Sequence, residues 1–238
     1  MPSVIERALQ AALTDRFRFG QILIQKTNGS FVLSHRDDEV RTDLQTFRNA
    51  EEAVEIAKYD DAGNYRSLKT APNLRHGWRL EVATFPELKR ALDYFYPGRL
   101  AVFAAWKNGR LHTTPLRETL DRQSGMYRVA AKISDEQIDN VVGNFCRSDS
   151  GCLRTILWKR DKRGTVASTK LPPEKFDPLH DQTTALNGPG SATPATAIPL
   201  LCQEPCNLLV AECRKVVKGE SQLSDGIPNA FGTATAEK

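Results

Sequence analysis

The segment Phe145-Cys146-Arg147-Ser148-Asp149-Ser150-Gly151-Cys152-Leu153-Arg154-Thr155-Ile156-Leu157-Trp158 reads as a helix end, a polar turn and an extended run, with a cysteine at each edge of the turn. A second pair follows at Cys202-Gln203-Glu204-Pro205-Cys206. The spacing is therefore CxxxxxC, a long interval, then CxxxC, in a 238-residue chain that holds five cysteines. The thiolate is the metal-binding form, and four thiolates converging on one point suit zinc or an iron-sulfur cluster rather than a hard cation. A structural zinc, with Zn–S near ~2.3 Å, draws its sulfurs together on short knuckles, usually with about two to four residues between ligands. The longer first interval fits a cubane better, because its four iron corners stand apart. The plain alternative is four separately buried thiols, since free cysteine is among the most buried residue types. Two tight pairs, each beside turn or helix-start residues, argue against it.

Working outward, Ser134 and Gln137 form a capping box for a helix whose inner face is Ile138, Val141, Val142 and Phe145, so Cys146 sits at its C-terminal end. Leu153 to Trp158 alternates like a strand. Pro205 marks the first turn of a helix that runs to Lys218 and stops at Gly219, placing Cys202 before the helix and Cys206 near its start. The positive end of that helix suits an anionic cluster, and Arg147, Ser148 and Gly151 are candidates to tune it. Cys213, on the same helix face as Cys206, reads as a packed core thiol and as the one substitute ligand. Between the cysteine pairs, residues 183–197 are rich in Gly, Pro, Ser, Thr and Ala, a flexible connection. Residues 219–238 read as a disordered tail.

Earlier in the chain, Ser3 and Glu6 cap a helix over residues 4–13, and Gly20 to Gln25 with Phe31 to His35 form a hairpin around Asn28-Gly29. Asn49 with Glu52 caps a helix through Tyr59, and Thr84 with Glu87 caps another that Pro97-Gly98 stops. Leu100 to Trp106 is apolar enough for either strand or helix, and Thr114-Pro115 opens a short helix carrying Leu116 and Leu120. The fold class predicted is α+β: an N-terminal helix and hairpin unit over residues 1–98, then a small cluster-binding α+β unit over 99–218.

The net charge of +4 is mild, and the densest basic run, Lys159 to Arg163, is broken by Asp161, so nothing calls for nucleic acid. No apolar run approaches the length of a membrane span, and the N-terminus has no signal-like core. An odd cysteine count without an export signal points to the reducing cytoplasm. Neither GxGxxG nor GxxxxGK[ST] nor GxSxG is present. His35, His76, His112 and His180 are scattered singly and draw no metal-insertion site. Residues 72–79, with Arg75, His76, Trp78 and Arg79, are read as packing through Trp78, with an anion grip as the alternative.

The segment Phe145 to Trp158 and the run Cys202-Gln203-Glu204-Pro205-Cys206-Asn207-Leu208-Leu209, with Pro97-Gly98, Thr114-Pro115-Leu116-Arg117-Glu118-Thr119-Leu120 and Gly125-Met126-Tyr127, resemble the 4Fe-4S domain attached to CbiX-like cobaltochelatases of the Deinococcus type. The runs Gly20-Gln21-Ile22-Leu23-Ile24 and Leu68-Lys69-Thr70-Ala71-Pro72-Asn73-Leu74-Arg75-His76-Gly77-Trp78 resemble that family's stabilising domain. The resemblance implies a 4Fe-4S cofactor on Cys146, Cys152, Cys202 and Cys206. The chelatases' Gly-His-Gly-Ser-like turn has no counterpart here, so sirohydrochlorin metallation is expected from a separate CbiX-type chain, with a redox partner and a tetrapyrrole as the further expected contacts. The same cysteine spacing occurs in sirohaem-dependent reductases, which leaves a component of such an enzyme, and a four-cysteine zinc module, as the competing expectations.

Overall fold

The computed structural model describes residues 3–147, 151–162 and 196–220. Helix α1 (Val4–Ala12) begins at the Ser3/Glu6 capping box and lays Leu9 on the core. Strands β1 (Arg16–Phe19), β2 (Ile22–Thr27) and β3 (Ser30–His35) follow as an antiparallel meander. The β2–β3 turn uses Asn28 at φ 48° and Gly29 at φ 88°, the two positive-φ residues that match the right-handed twist of a tight hairpin. Strand β4 (Gln45–Phe47), helix α2 (Ala53–Lys58), strand β5 (Trp78–Val82) and helices α3 (Phe85–Phe95) and α4 (Arg99–Lys107) complete this half. The Asn49/Glu52 and Thr84/Glu87 capping boxes both form, the former closing a 3-10 turn that leads into α2.

Leu100 to Trp106 resolves as helix: alanines favour it, and Leu100 and Phe103, one turn apart, both reach the core. The chain then gives α5 (Leu116–Asp121), a 3-10 stretch over Gly125–Lys132 and α6 (Asp135–Cys146), the last behind the Ser134/Gln137 box. Strand β6 (Thr155–Ile156), strand β7 (Thr196–Ile198), strand β8 (Leu201–Cys202) and helix α7 (Asn207–Lys218) finish it. Gly219 ends α7 at φ 68°, in the left-handed conformation a helix stop uses. This mixture of helices with a mixed sheet is the predicted α+β class.

The main sheet has the order β4-β5-β3-β2-β1-β7, with β4 parallel to β5 and β7 parallel to β1. Two strands here escape the sequence pattern. Arg16–Phe19 alternates, but its Arg18 is 5% exposed, so polar residues do not mark a solvent face. Thr196–Ile198 ends the stretch read as a flexible connection and is instead an edge strand of the sheet. The rest of that stretch, and the tail beyond Glu220, lie outside the described residues. Two hydrophobic clusters result. One spans the sheet, α1 to α4 and, from late in the chain, Ile198 and Leu200. The other gathers Leu116, Leu120, Ile138, Val142, Trp158 and Leu209 around the cysteines. Among the described residues no helix is long and apolar enough to cross a membrane.

The turn between β1 and β2 is the tightest spot in the first core. Gly20 has φ 62°, and a Cβ there would lie 2.6 Å from the Tyr96 ring. The Tyr96 hydroxyl accepts the Gln21 N–H at 2.9 Å, and its ring stands edge-on to Phe19 with centroids 5.3 Å apart. Burial pushes the Tyr96 phenol up to about 12, so it stays protonated at neutral pH. Gly20→Ala should therefore destabilise by more than ~1 kcal/mol, through left-handed strain and overpacking together. Tyr96→Phe should cost about 1–3 kcal/mol by orphaning the Gln21 N–H. Urea unfolding monitored by circular dichroism checks both, and unchanged midpoints would refute this account of the turn.

Candidate iron-sulfur site

Helix α6 buries Ile138, Val141 and Val142 and so fixes Cys146 at its last turn. Cys202 closes β8, and Cys206 is the residue that caps α7. Pro205 thus lies just outside the helix rather than in its first turn, and Asn207 is the first helical residue. The cap carries no side-chain hydrogen bond, which leaves the first-turn N–H groups and the positive dipole end for an anion. Parallel pairing of β6 with β8 sets Ile156 opposite Cys202. The expected strand over Leu153 to Trp158 shortens to two residues because its N–H groups are taken elsewhere: Leu153 donates to the Thr70 carbonyl at 2.6 Å and Arg154 to the Cys152 sulfur at 3.5 Å.

All four paired cysteines line one open cavity. Leu68, Phe145, Ile156 and Leu209 supply apolar walls, and Arg154 and Trp158 supply donors. Trp158 Nε1 donates to the Cys202 sulfur at 3.3 Å, and the Thr70 hydroxyl lies 3.1 Å from the Cys152 sulfur. As a thiol, Cys202 also donates to the Glu204 carbonyl at 3.2 Å.

Burial, then the charges of Cys152, Cys206 and Cys202, push the Cys146 thiol well above the ordinary cysteine range. Burial likewise raises Cys152, against the opposing Thr70 hydrogen bond and Arg154 charge. Four crowded sulfurs cannot all ionise unless cations sit among them. The arginines show the complementary need. Arg99 is depressed first by burial and next by Arg154, with Cys202 and Cys152 opposing. Arg154 Nε is buried with no hydrogen-bond partner. A cluster with four thiolates is anionic, so it satisfies the thiols and the arginine together. On donor set and charge, the residues present fit a 4Fe-4S group.

The structure thus brings the four cysteines named from sequence to one cavity. Cys213 is fully buried in the second core and pushed up to about 12 by burial, as a packing thiol should be. Of the candidate tuning residues, Arg147 favours ionisation of Cys146 by its charge, while Ser148 lies outside the described residues. Arg160, in the basic run, pairs with Asp139 at 3.2 Å, and Arg163 lies outside the described residues. Trp78 is buried and stacked on Phe95, with centroids 5.1 Å apart, which is the packing role read for residues 72–79. Sequence reasoning missed Thr70, Arg99, Arg154 and Trp158. Thr70 and Arg99 are far from the cysteines in sequence, and an indole beside a core cluster gives no sign that its N–H faces sulfur.

Comparison with known proteins agrees with this geometry. Residues 108–215 match the family model described as a 4Fe-4S iron-sulfur cluster binding domain, and residues 6–110 match that of the DR2241 stabilising domain. Among solved structures, DR2241 from Deinococcus radiodurans matches with a TM-score of 0.69 and 28% identity over 90% of this chain. It is described as a multi-domain protein with structural similarity to chelatases and two additional novel domains, and the present chain covers 41% of it. No curated protein matches. The cofactor of this chain is a 4Fe-4S cluster.

Trp158→Phe removes one N–H···S bond without emptying the core. It should leave iron content intact and lower the cluster potential by roughly tens of millivolts, the scale of a ~1 kcal/mol bond in a one-electron couple. Protein-film voltammetry reads this, and an unshifted potential would separate the indole from the cluster. Stability of the cluster-free form has its own signature. A thiol raised by folding stays neutral in the fold while the unfolded chain ionises near the ordinary value of 9.0. The cluster-free fold should hold below that pH and weaken progressively above it, as urea midpoints between pH 7 and 10 will show.

Proposed function

We propose, for a chain that joins a DR2241-type stabilising domain to a 4Fe-4S cluster-binding domain, that it is a redox accessory protein serving a CbiX-type chelatase on a separate chain. Cys146, Cys152, Cys202 and Cys206 are the ligands in this reading, and the reducing cytoplasm is its compartment. The bound cluster supplies one-electron transfer. The tetrapyrrole, of the sirohydrochlorin type, belongs to the partner's reaction.

The observation that carries the reading is the convergence on one cavity of four thiols and of Arg154, whose Nε is buried without a hydrogen-bond partner. Its support for a chelatase link is the chelatase-like description of DR2241, which also aligns across both halves of this chain. Inside the cavity, Arg154 balances negative charge, Trp158 and Thr70 bond sulfur, and Leu68, Phe145 and Leu209 restrict water. These are the levers that set a cluster's potential: net charge, hydrogen bonds to sulfur and solvent access.

Anaerobic purification should yield a brown protein with about four irons and four sulfides per chain. Cys206→Ser should hold well under half of that iron, and full retention would remove Cys206 from the ligand set. The partner link is checked separately. Adding the loaded chain to a CbiX-type chelatase should produce a complex on gel filtration and change the initial rate of metal insertion into sirohydrochlorin. Neither a complex nor a rate change would sink the chelatase assignment while leaving the cluster in place.

A further inference from the structure

On the far side of the loop that carries Thr70, three residues distant in sequence come together. His35 ends β3, Asp38 lies in the 3-10 turn that follows, and His76 comes shortly before β5, which pairs antiparallel with β3. One ring nitrogen of each histidine and a carboxylate oxygen of Asp38 all lie within 4.8 Å of one another. The imidazole centroids are 3.8 Å apart. The His35 side chain is 0% exposed and that of Asp38 1%, whereas His76 is 33% exposed and opens the group to solvent.

Three features go beyond packing. His35 Nε2 is buried with no hydrogen-bond partner, while Nδ1 accepts the Asp37 N–H at 3.2 Å and lies 3.6 Å from the Asp37 carboxylate. Leaving such a buried polar atom unmet is costly. Next, Asp61 grips His76 twice. Its Oδ2 is 2.9 Å from Nε2, and its Oδ1 accepts the backbone N–H at 2.5 Å. A carboxylate on one imidazole nitrogen fixes the proton there and presents the other nitrogen as a lone pair, as in carboxylate–histidine–metal arrangements. Finally, that other nitrogen, Nδ1, faces Asp38 Oδ1 at 3.5 Å. A lone pair on Nδ1 would be repelled by that oxygen, so the contact calls for either a proton on Nδ1 or a cation between the two.

Asp38 is itself held in place. Its Oδ2 accepts the Gly77 N–H at 2.6 Å. Its Oδ1 accepts from Arg41 at 3.2 Å, a guanidinium shared with Asp43, and a carboxylate oxygen has a second lone pair to offer.

We propose that His35, Asp38 and His76 form a binding site for one divalent first-row transition ion, zinc foremost. Asp61 acts as the positioning residue for His76, and a coordination position stays open on the solvent side. Two imidazoles and a carboxylate are the donor set of open three-ligand zinc sites, and also of iron(II) sites of the same composition. For His35 to ligate through Nε2, its proton moves to Nδ1, where the Asp37 carboxylate 3.6 Å away takes the hydrogen bond in place of the Asp37 N–H. An ion here would pin the 60–77 loop, the same loop that presents Leu68 and Thr70 to the cysteine cavity.

The test is equilibrium dialysis of the intact, cluster-loaded chain against zinc chloride, followed by metal analysis. The wild type should bind one zinc per chain beyond the cluster iron. His76→Ala should lower the affinity at least about tenfold and Asp61→Asn by roughly 10–100-fold, the range for outer-sphere carboxylates. Both residues reach solvent, so circular dichroism should show folded variants, whereas fully buried His35 is a poorer probe. Absence of zinc binding by the wild type at about 100-fold molar excess overturns the proposal and leaves a hydrogen-bonded polar knot. Undiminished binding by folded His76→Ala also overturns it, as does zinc that is lost only in Cys206→Ser, because that zinc would sit on the thiols.

Discussion

The cysteine site depends on a parallel pairing only two residues long. Strands β6 and β8 exchange Thr155 N–H to the Leu200 carbonyl at 2.8 Å and Leu157 N–H to the Cys202 carbonyl at 3.0 Å. Those bonds tie the strand that follows the first cysteine pair directly to the strand that carries the second. A ladder this short does not stand alone in water. It persists because Thr155, Ile156, Leu201 and Cys202 are all buried, and because Arg99 on α4 donates to the Leu201 carbonyl at 2.9 Å. The residues just before β8 are pinned as well: β7 runs along β1, and Leu200 enters the first core. The second cysteine pair is thus positioned from the sheet of the other half as well as by its own helix, which packs Leu209, Val210 and Cys213 into the second core.

That dependence makes the environment of the cluster a joint product of both halves. Thr70 reaches the Cys152 sulfur, takes the Leu153 N–H on its carbonyl, and Leu153 packs on the first core. Buried arginines follow the same logic. Burial, then the charge of Arg154, disfavours the charged form of Arg99, and the Cys202 and Cys152 sulfurs offset it. Crowded thiols call for cations and crowded guanidinium groups call for anions. An anionic cluster of cationic irons with thiolates answers both demands at one point, which is why the polar lining tolerates burial that would otherwise be expensive.

Features governed by near neighbours were legible in the sequence. The capping boxes at Ser3, Asn49, Thr84 and Ser134, the Asn28-Gly29 turn and the Gly219 stop depend on residues a few positions apart, and all form. The cysteine pairing was legible because so few thiols occur in the chain. What stayed hidden is set by long-range pairing. Arg16–Phe19 and Thr196–Ile198 become strands by pairing with each other, in parallel, from opposite ends of the chain. Leu153 to Trp158 loses most of its strand because its donors go to Thr70 and a sulfur. His35 and His76 look solitary in sequence, since a motif search rewards close spacing and these two meet only through the register of β3 and β5.

Exposure of the sulfurs bears on what the cluster is for. A purely structural staple gains from complete enclosure, which keeps oxidants and water away from the thiolates. Here Cys202 is buried, bonded by Trp158 on the sheet side, while Cys146, Cys152 and Cys206 are each partly open. Close to Cys206 in the chain, Glu204 and Asn207 are exposed, and so is the apolar Leu208. Electron exchange needs a partner to come close to the cluster edge, and an apolar residue beside a polar rim is the composition that transient contacts use. Hydrogen bonds to sulfur from Trp158 at Cys202 and Thr70 at Cys152 hold and tune that site. Cys146, Cys152 and Cys206 are the less enclosed sulfurs, a division that a redox role would use and a purely structural staple would not need.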